Sequence, residues 1–210
     1  AAEPFFFAQA ANREAPDTYA RVMKFFVMAC CFMFLGVALF LDVWKWLITY
    51  KNAEYGEGIY IVPILAMASV FLGIYYNLSI WYKLTNNNWI GARITLTGAA
   101  ITIALNLWWI QKFGYIGSAW ATFVCYAYMM VASYWMGQKY YPVPYDVKKL
   151  SCYIVLAGLL YVVHRFAGVH LPEIWMRIGL GIVLAFLFAG TLLFAERKEL
   201  ENLPVIGKWM

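Results

Sequence analysis

Charge is what this 210-residue sequence has least of. Only 13% of its residues are Asp, Glu, Lys or Arg, roughly half the share of an ordinary soluble domain. From Phe113 to Gln138 there is no charged residue at all, a run longer than the roughly 20 residues a helix needs to cross the hydrocarbon core of a bilayer. A water-soluble domain is thereby excluded, and 64% hydrophobic residues with a mean hydropathy of +0.66 point to a polytopic membrane protein. Acids are scarcer than bases, giving a net charge of +5. The cations are scattered at the ends of apolar runs, so they speak to membrane orientation and not to nucleic acid. Cys30, Cys31, Cys125 and Cys152 lie inside apolar runs without metal-ligand spacing, which reads as packing and not as a disulfide or zinc site. His164 and His170 flank a loop with no third ligand beside them, and read as solvated interface residues. With no nucleophile-base pair and no phosphate loop, the sequence is read as that of a non-enzyme. The sequence opens without a Met and is not read as beginning with a signal peptide; Ala1-Ala2-Glu3-Pro4-Phe5-Phe6-Phe7 reads as the interior of an apolar helix, so the chain is expected to continue a longer one.

What is present is a series of apolar segments, and the fold class they imply is an all-α, polytopic transmembrane helix bundle. Residues 1–11 read as the end of a helix and 12–21 as a polar connection. Six spans follow, at 25–41, 58–82, 89–110, 113–138, 150–164 and 174–195. The fifth is short, and Lys149 and Arg165 at its ends extend their stems to reach the interface. Pro142 and Pro144 forbid continuation of the fourth span, Gly137 loosens its end, and Gly117, Ser118, Ala119 and Ala121 let another helix approach its start. The organisation expected is residues 1–24 as helix end and connection, 25–147 as four helices, 148–195 as a final pair and 196–210 as a tail. Counting cations on alternate sides of six spans leaves Lys45, Lys51, Lys112, Arg165 and Arg177 on one side and the other 11 of the 16 on the opposite side. By the positive-inside rule the richer side, with both ends of the chain, is cytoplasmic.

Spans two, three and four each carry a small or polar stripe at steps of three and four, which keeps each set on one helix face. These are Ser69, Gly73 and Asn77; Gly91, Thr95, Gly98, Thr102 and Asn106; and Ser118, Thr122, Tyr126, Ser133 and Gly137. For a single stripe the plain reading is helix packing with interhelical hydrogen bonds. Three in succession support a second reading, a shared water-filled cavity. Tyr75, Tyr76, Trp81 and Tyr82, with Trp89 opposite, fit an interfacial aromatic belt. The Asn77-Leu78-Ser79 sequon lies within a span and is a chance match. Glu3 is an ionisable group in an apolar run, a functional candidate by default. It either pairs with a cation, takes part in H+ or Na+ coupling, or caps and packs near the interface. Asp42 and Lys45, three apart, form an expected surface pair, and 196–201 reads as a helix end.

Several stretches also resemble bacterial polysaccharide-lipid flippases of the O-antigen, or Wzx, type, within the multidrug/oligosaccharidyl-lipid/polysaccharide exporter superfamily. They include Ala2-Glu3-Pro4-Phe5-Phe6-Phe7-Ala8, Thr18-Tyr19-Ala20-Arg21-Val22-Met23, Val62-Pro63-Ile64-Leu65, the run from Phe71 to Thr85, Phe113-Gly114-Tyr115-Ile116-Gly117-Ser118-Ala119-Trp120-Ala121-Thr122 and Gly137-Gln138-Lys139-Tyr140-Tyr141-Pro142. The resemblance implies a protein of about fourteen helices in two lobes, of which this chain would be the C-terminal lobe and the last two helices. It implies alternating access in a bacterial inner membrane, a polyprenyl-pyrophosphate-linked oligosaccharide as partner, and no bound cofactor. Such a headgroup needs a wet groove. Asn77, Thr95, Thr102, Asn106, Thr122 and Tyr126 are the lining candidates, with Lys83 and Arg93 as cations for the phosphates and Glu3 for coupling. Two alternatives stay open: a cation-coupled multidrug exporter of the same superfamily, and a six-helix membrane enzyme or assembly subunit.

Overall fold

Long apolar runs without charge leave the backbone one way to satisfy its polar groups in lipid, which is to bond within each helix. A computed structural model describes residue 8 and residues 15–50, 58–171 and 173–197. Among these there are helices, turns and short connections, with no strand. The helices are α1 (Ala15–Ala38), α2 (Leu41–Thr49), α3 (Val62–Leu78), α4 (Ile80–Leu84), α5 (Asn88–Phe113), α6 (Tyr115–Tyr140), α7 (Val147–His170) and α8 (Ile174–Ala195). Six spans of membrane length result, with Gly58–Leu84 counted as one span broken at Ser79. The all-α polytopic bundle read from the sequence is therefore the architecture found. The expected helix end at 1–11, with Glu3, and residues 198–210 of the tail lie outside the described residues.

Two boundaries differ from expectation for identifiable reasons. The polar stretch before residue 22 is mostly helix, not connection: α1 starts at Ala15 with Pro16 and Asp17 in its first turn, where a missing N–H costs nothing and a carboxylate meets the positive end of the helix. Ala15 and Tyr19 are buried there against Ile80 and Val143. The fifth span is not short, because Asp146 caps α7 by accepting from the Lys149 backbone N–H at 3.2 Å, three residues ahead of the apolar run. Gly137, expected to loosen α6, sits inside it, where a Cβ would come within 2.9 Å of the Trp81 ring.

Helix α6 packs between α3 and α5, α3 packs on α1, and α1 also packs on α7 and α8, which contact each other. The main core joins Met23, Val27, Cys31 and Leu35 of α1 to Val70 and Ile74 of α3, Ala157 and Leu160 of α7, and Leu184 and Phe188 of α8. Facing outward are regular apolar stripes such as Val155, Leu159, Val162 and Phe166 on α7, an exposed surface that only a hydrocarbon solvent makes favourable. Trp89 and Trp108, near opposite ends of α5, are both exposed, as an aromatic belt requires. Cys31 and Cys125 are buried, Cys30 is partly so, and Cys152 is exposed.

Candidate functional site

The three stripes do lie on neighbouring helices, but most of their members are occupied with the bundle itself. A hydroxyl in a membrane helix lowers its own desolvation cost by bonding back one turn. Thr95 donates to the Gly91 carbonyl at 3.0 Å, Thr102 to Gly98 at 3.0 Å and Thr122 to Ser118 at 3.0 Å. The glycines admit neighbours: a Cβ at Gly91 would lie 2.6 Å from the Tyr82 ring, and one at Gly98 would lie 3.0 Å from Met129. Ser133 is buried under Trp81, whose indole N–H reaches the Ser133 carbonyl at 3.1 Å. This is the packing use of small residues that the plain reading expected.

Among the residues proposed to line a groove, the structure brings few into mutual contact. Thr95 meets the Tyr75 hydroxyl at 3.2 Å, which in turn meets the Tyr82 hydroxyl at 3.4 Å, so α3, α4 and α5 share a short hydroxyl chain. Tyr126 packs beside the cluster of Tyr75, Ile94, Cys125 and Met129. Asn77 faces the other way, toward Tyr19, Tyr141 and Tyr145. Arg93 is exposed, with its guanidinium 5.4 Å from the Trp89 ring centroid; Lys83 is half-buried near the end of α4. Asn106 differs from the rest. Its amide oxygen is buried and has no hydrogen-bond partner among the described residues. It sits about two turns from the end of α5, inside a span.

A second polar centre was not singled out in the sequence. Lys24 of α1 donates to Oε2 of Glu196, just past α8, at 2.7 Å, and the Tyr153 hydroxyl of α7 donates to Oε1 at 2.5 Å. Lys149 Nζ stands 3.6 Å from the same Oε1. The side chains of Lys24 and Glu196 are only 10% and 1% exposed, so this is a buried ion pair that ties three helices together. Burial pushes the Glu196 carboxyl upward, but the bonds from Lys24 and Tyr153 and the charges of Lys24 and Lys149 outweigh it and hold the group below its ordinary value. Glu196 therefore remains ionised at neutral pH. Nearby, burial raises the Tyr141 and Tyr145 phenols, which stay protonated. Glu196 does close α8, as expected of 196–201, but its carboxylate is buried, and 198–201 lie outside the described residues.

The sequence did carry a signal for this centre. Lys24 falls on the buried stripe of α1 with Met28, Cys31 and Leu35; Tyr153 falls with Ala157, Leu160 and His164 on α7; Glu196 continues Leu184 and Phe188 by steps of four. Three polar residues in step with core positions of three helices each require a polar partner inside the bundle.

At the opposite end Asp42 pairs with Arg177 at 3.7 Å and not with Lys45, because α8 comes within reach of the start of α2. His164, expected to be solvated, is buried and stands 3.1 Å from the Arg177 carbonyl. His170 is exposed. Among the described residues no group of three His, Cys, Asp or Glu side chains is placed to hold a metal ion.

Comparison with protein-family models, with curated proteins and with solved structures gave no match to this chain.

Proposed function

We propose that this chain is the C-terminal part of a bacterial inner-membrane flippase that carries a polyprenyl-pyrophosphate-linked oligosaccharide by alternating access. The observation that supports the reading is Asn106. A shielded amide oxygen without a partner costs on the order of 1–3 kcal/mol, and more in hydrocarbon, so water or a polar ligand is the natural partner at that depth. The hydroxyl chain of Thr95, Tyr75 and Tyr82 lies on the same side of the bundle as the stripe to which Asn106 belongs. The motif series from Phe71 to Thr85 and from Phe113 to Thr122 gives the class of cargo by resemblance.

The test is transport by the full encoded protein in vesicles, scored by exposure of the lipid-linked oligosaccharide to an added glycosidase. Asn106→Leu should slow translocation about tenfold, the equivalent of one lost hydrogen bond to the moving headgroup. Export of ethidium by the same vesicles, with no oligosaccharide translocation, would replace this reading with the multidrug exporter.

A further inference from the structure

Two cavities meet at the end of the bundle where Lys24 and Glu196 lie. The polar one has a volume of about 550 Å³ and opens between α1 and the residues that lead into α7. Its wall carries Asp17, Arg21 and Lys24 from one face of α1, with Asp146 and Lys149 from the start of α7. The second is an apolar groove of about 210 Å³ among α1, α3, α6 and α7, walled by residues such as Met23, Val27, Leu78, Val131 and Ile154. Leu150 lines both, so the two adjoin across its side chain.

The order along each helix is informative. On α1 the charges at Asp17, Arg21 and Lys24 come first and Val27 lies deeper; on α7 Lys149 comes first and Ile154 lies deeper. Charge at the interface followed by hydrocarbon further in is the profile of a membrane lipid. The signs narrow its chemistry. Glu196 behind the wall is shared by Lys24 at 2.7 Å and Lys149 at 3.6 Å, and Lys149 also stands 4.0 Å from Asp146, so the wall as a whole is balanced in sign. Arg21 and Asp17 form no ion pair with each other or with any other described residue. A wall of one sign would favour a simple anion, whereas a balanced wall complements a headgroup that carries both signs. Asp17 lies one turn nearer the start of α1 than Arg21, in the order in which an ammonium lies outside the phosphate of such a headgroup.

We propose that the cleft between α1 and α7 holds a resident phospholipid of the phosphatidylethanolamine class, its phosphodiester on Arg21 and Lys149, its ammonium on Asp17, and one acyl chain in the groove. The lipid is a fixed part of the bundle and not its cargo, so the proposal stands or falls separately from the transport reading.

The experiment is native mass spectrometry of the full chain released from vesicles with equal amounts of phosphatidylethanolamine, phosphatidylglycerol and phosphatidylcholine. One phosphatidylethanolamine should remain bound, with each of the other two retained about tenfold less. Arg21→Gln should cut retention about tenfold, and Asp17→Asn should abolish the preference over phosphatidylcholine. Ser151→Trp, on the groove wall, should expel the lipid, whereas Val155→Trp on the outward face should not. Equal or tighter retention of phosphatidylglycerol, or retention unchanged in both Arg21→Gln and Ser151→Trp, would overturn the proposal. So would displacement of the phospholipid by an equal amount of polyprenyl phosphate, which would make the cleft part of a carrier path.

Discussion

A lysine and a glutamate separated by 172 positions in the chain meet where α1, α7 and α8 converge. Leaving one member of such a buried pair without the other typically costs about 3–5 kcal/mol, whereas replacing both by apolar groups of similar volume is often neutral. Glu196→Gln should therefore lower stability by about 3 kcal/mol, and Lys24→Met combined with Glu196→Met should recover most of it; SDS-titrated unfolding in detergent measures both. The pH dependence has a definite sign. The carboxyl of Glu196 is held below its ordinary value in the fold, against about 4.3 when unfolded. Its contribution is complete above the unfolded value and disappears as pH falls through the lower folded one. The gap in melting temperature between wild type and Glu196→Gln should thus be constant from about pH 7 to pH 5 and close only below about pH 4. A gap that narrows between pH 7 and 6 would show that the carboxyl is not held down. Read from the sequence, Lys24 stands before the first span and 196–201 is a helix end; only the helix bounds bring Lys24, Tyr153 and Glu196 into step with buried faces. The choice of partner was not legible, because it depends on which helices adjoin and no local pattern records that. The same holds for Asp42, whose near neighbour Lys45 was the expected partner and whose actual one, Arg177, comes from α8.

Helices here approach each other through glycine, and the consequence depends on what each glycine faces. At Gly117 an added Cβ would lie 2.6 Å from the Trp109 carbonyl oxygen, a backbone atom at the close α5–α6 turn that cannot step aside. Gly36, in α1, has nothing within 4 Å. Gly117→Ala should destabilise by about 2 kcal/mol or more through overpacking, while Gly36→Ala should be neutral or stabilising by about 0.5–1 kcal/mol through backbone entropy. Unfolding of the two variants side by side checks the contrast. A related contact fixes the break in the second span. Past Ser79, α4 carries Trp81 onto α6, where its ring stacks on Tyr140 with centroids 5.7 Å apart, covers Gly137 and donates to the Ser133 carbonyl. Trp81→Ala should cost about 3–5 kcal/mol, with α4 the first segment to gain hydrogen exchange. Span lengths were legible from apolar runs, since a bilayer of fixed thickness dictates them. The break at Ser79 was not, because Ser79 fits an apolar helix as readily as a bend. The start of α1 was not legible either, because the polar stretch 12–21 looks like a connection while Pro16 and Asp17 favour a first helical turn.

At the scale of the molecule the ends of the helices sort into two sets. The ion pair of Lys24 with Glu196 joins the first half of α1 to the end of α8 and, through Lys149, to the start of α7. Trp81 joins the end of α4 to the end of α6. Asp42 with Arg177 joins the start of α2 to the start of α8 on the other face. The alternation assumed in counting cations is thus the alternation of the bundle, and the cation-rich face includes Lys24, Lys83, Arg93, Lys139 and Lys149. That face is expected to be cytoplasmic, because positive residues resist translocation. Asn88 and Glu173, both exposed, stand at opposite faces, at the start of α5 and just before α8. In intact cells, with Cys152 replaced by Ser to remove the one exposed thiol among the described cysteines, a membrane-impermeant maleimide should label Glu173→Cys and spare Asn88→Cys until the membrane is opened. Charge asymmetry acts on the whole chain during insertion, so the two sites must move together. The reverse pattern would invert the protein and place the Lys24–Glu196 centre and its adjoining cavity outside the cell. Labelling of both sites in intact cells would mean that no single orientation is fixed by the charges.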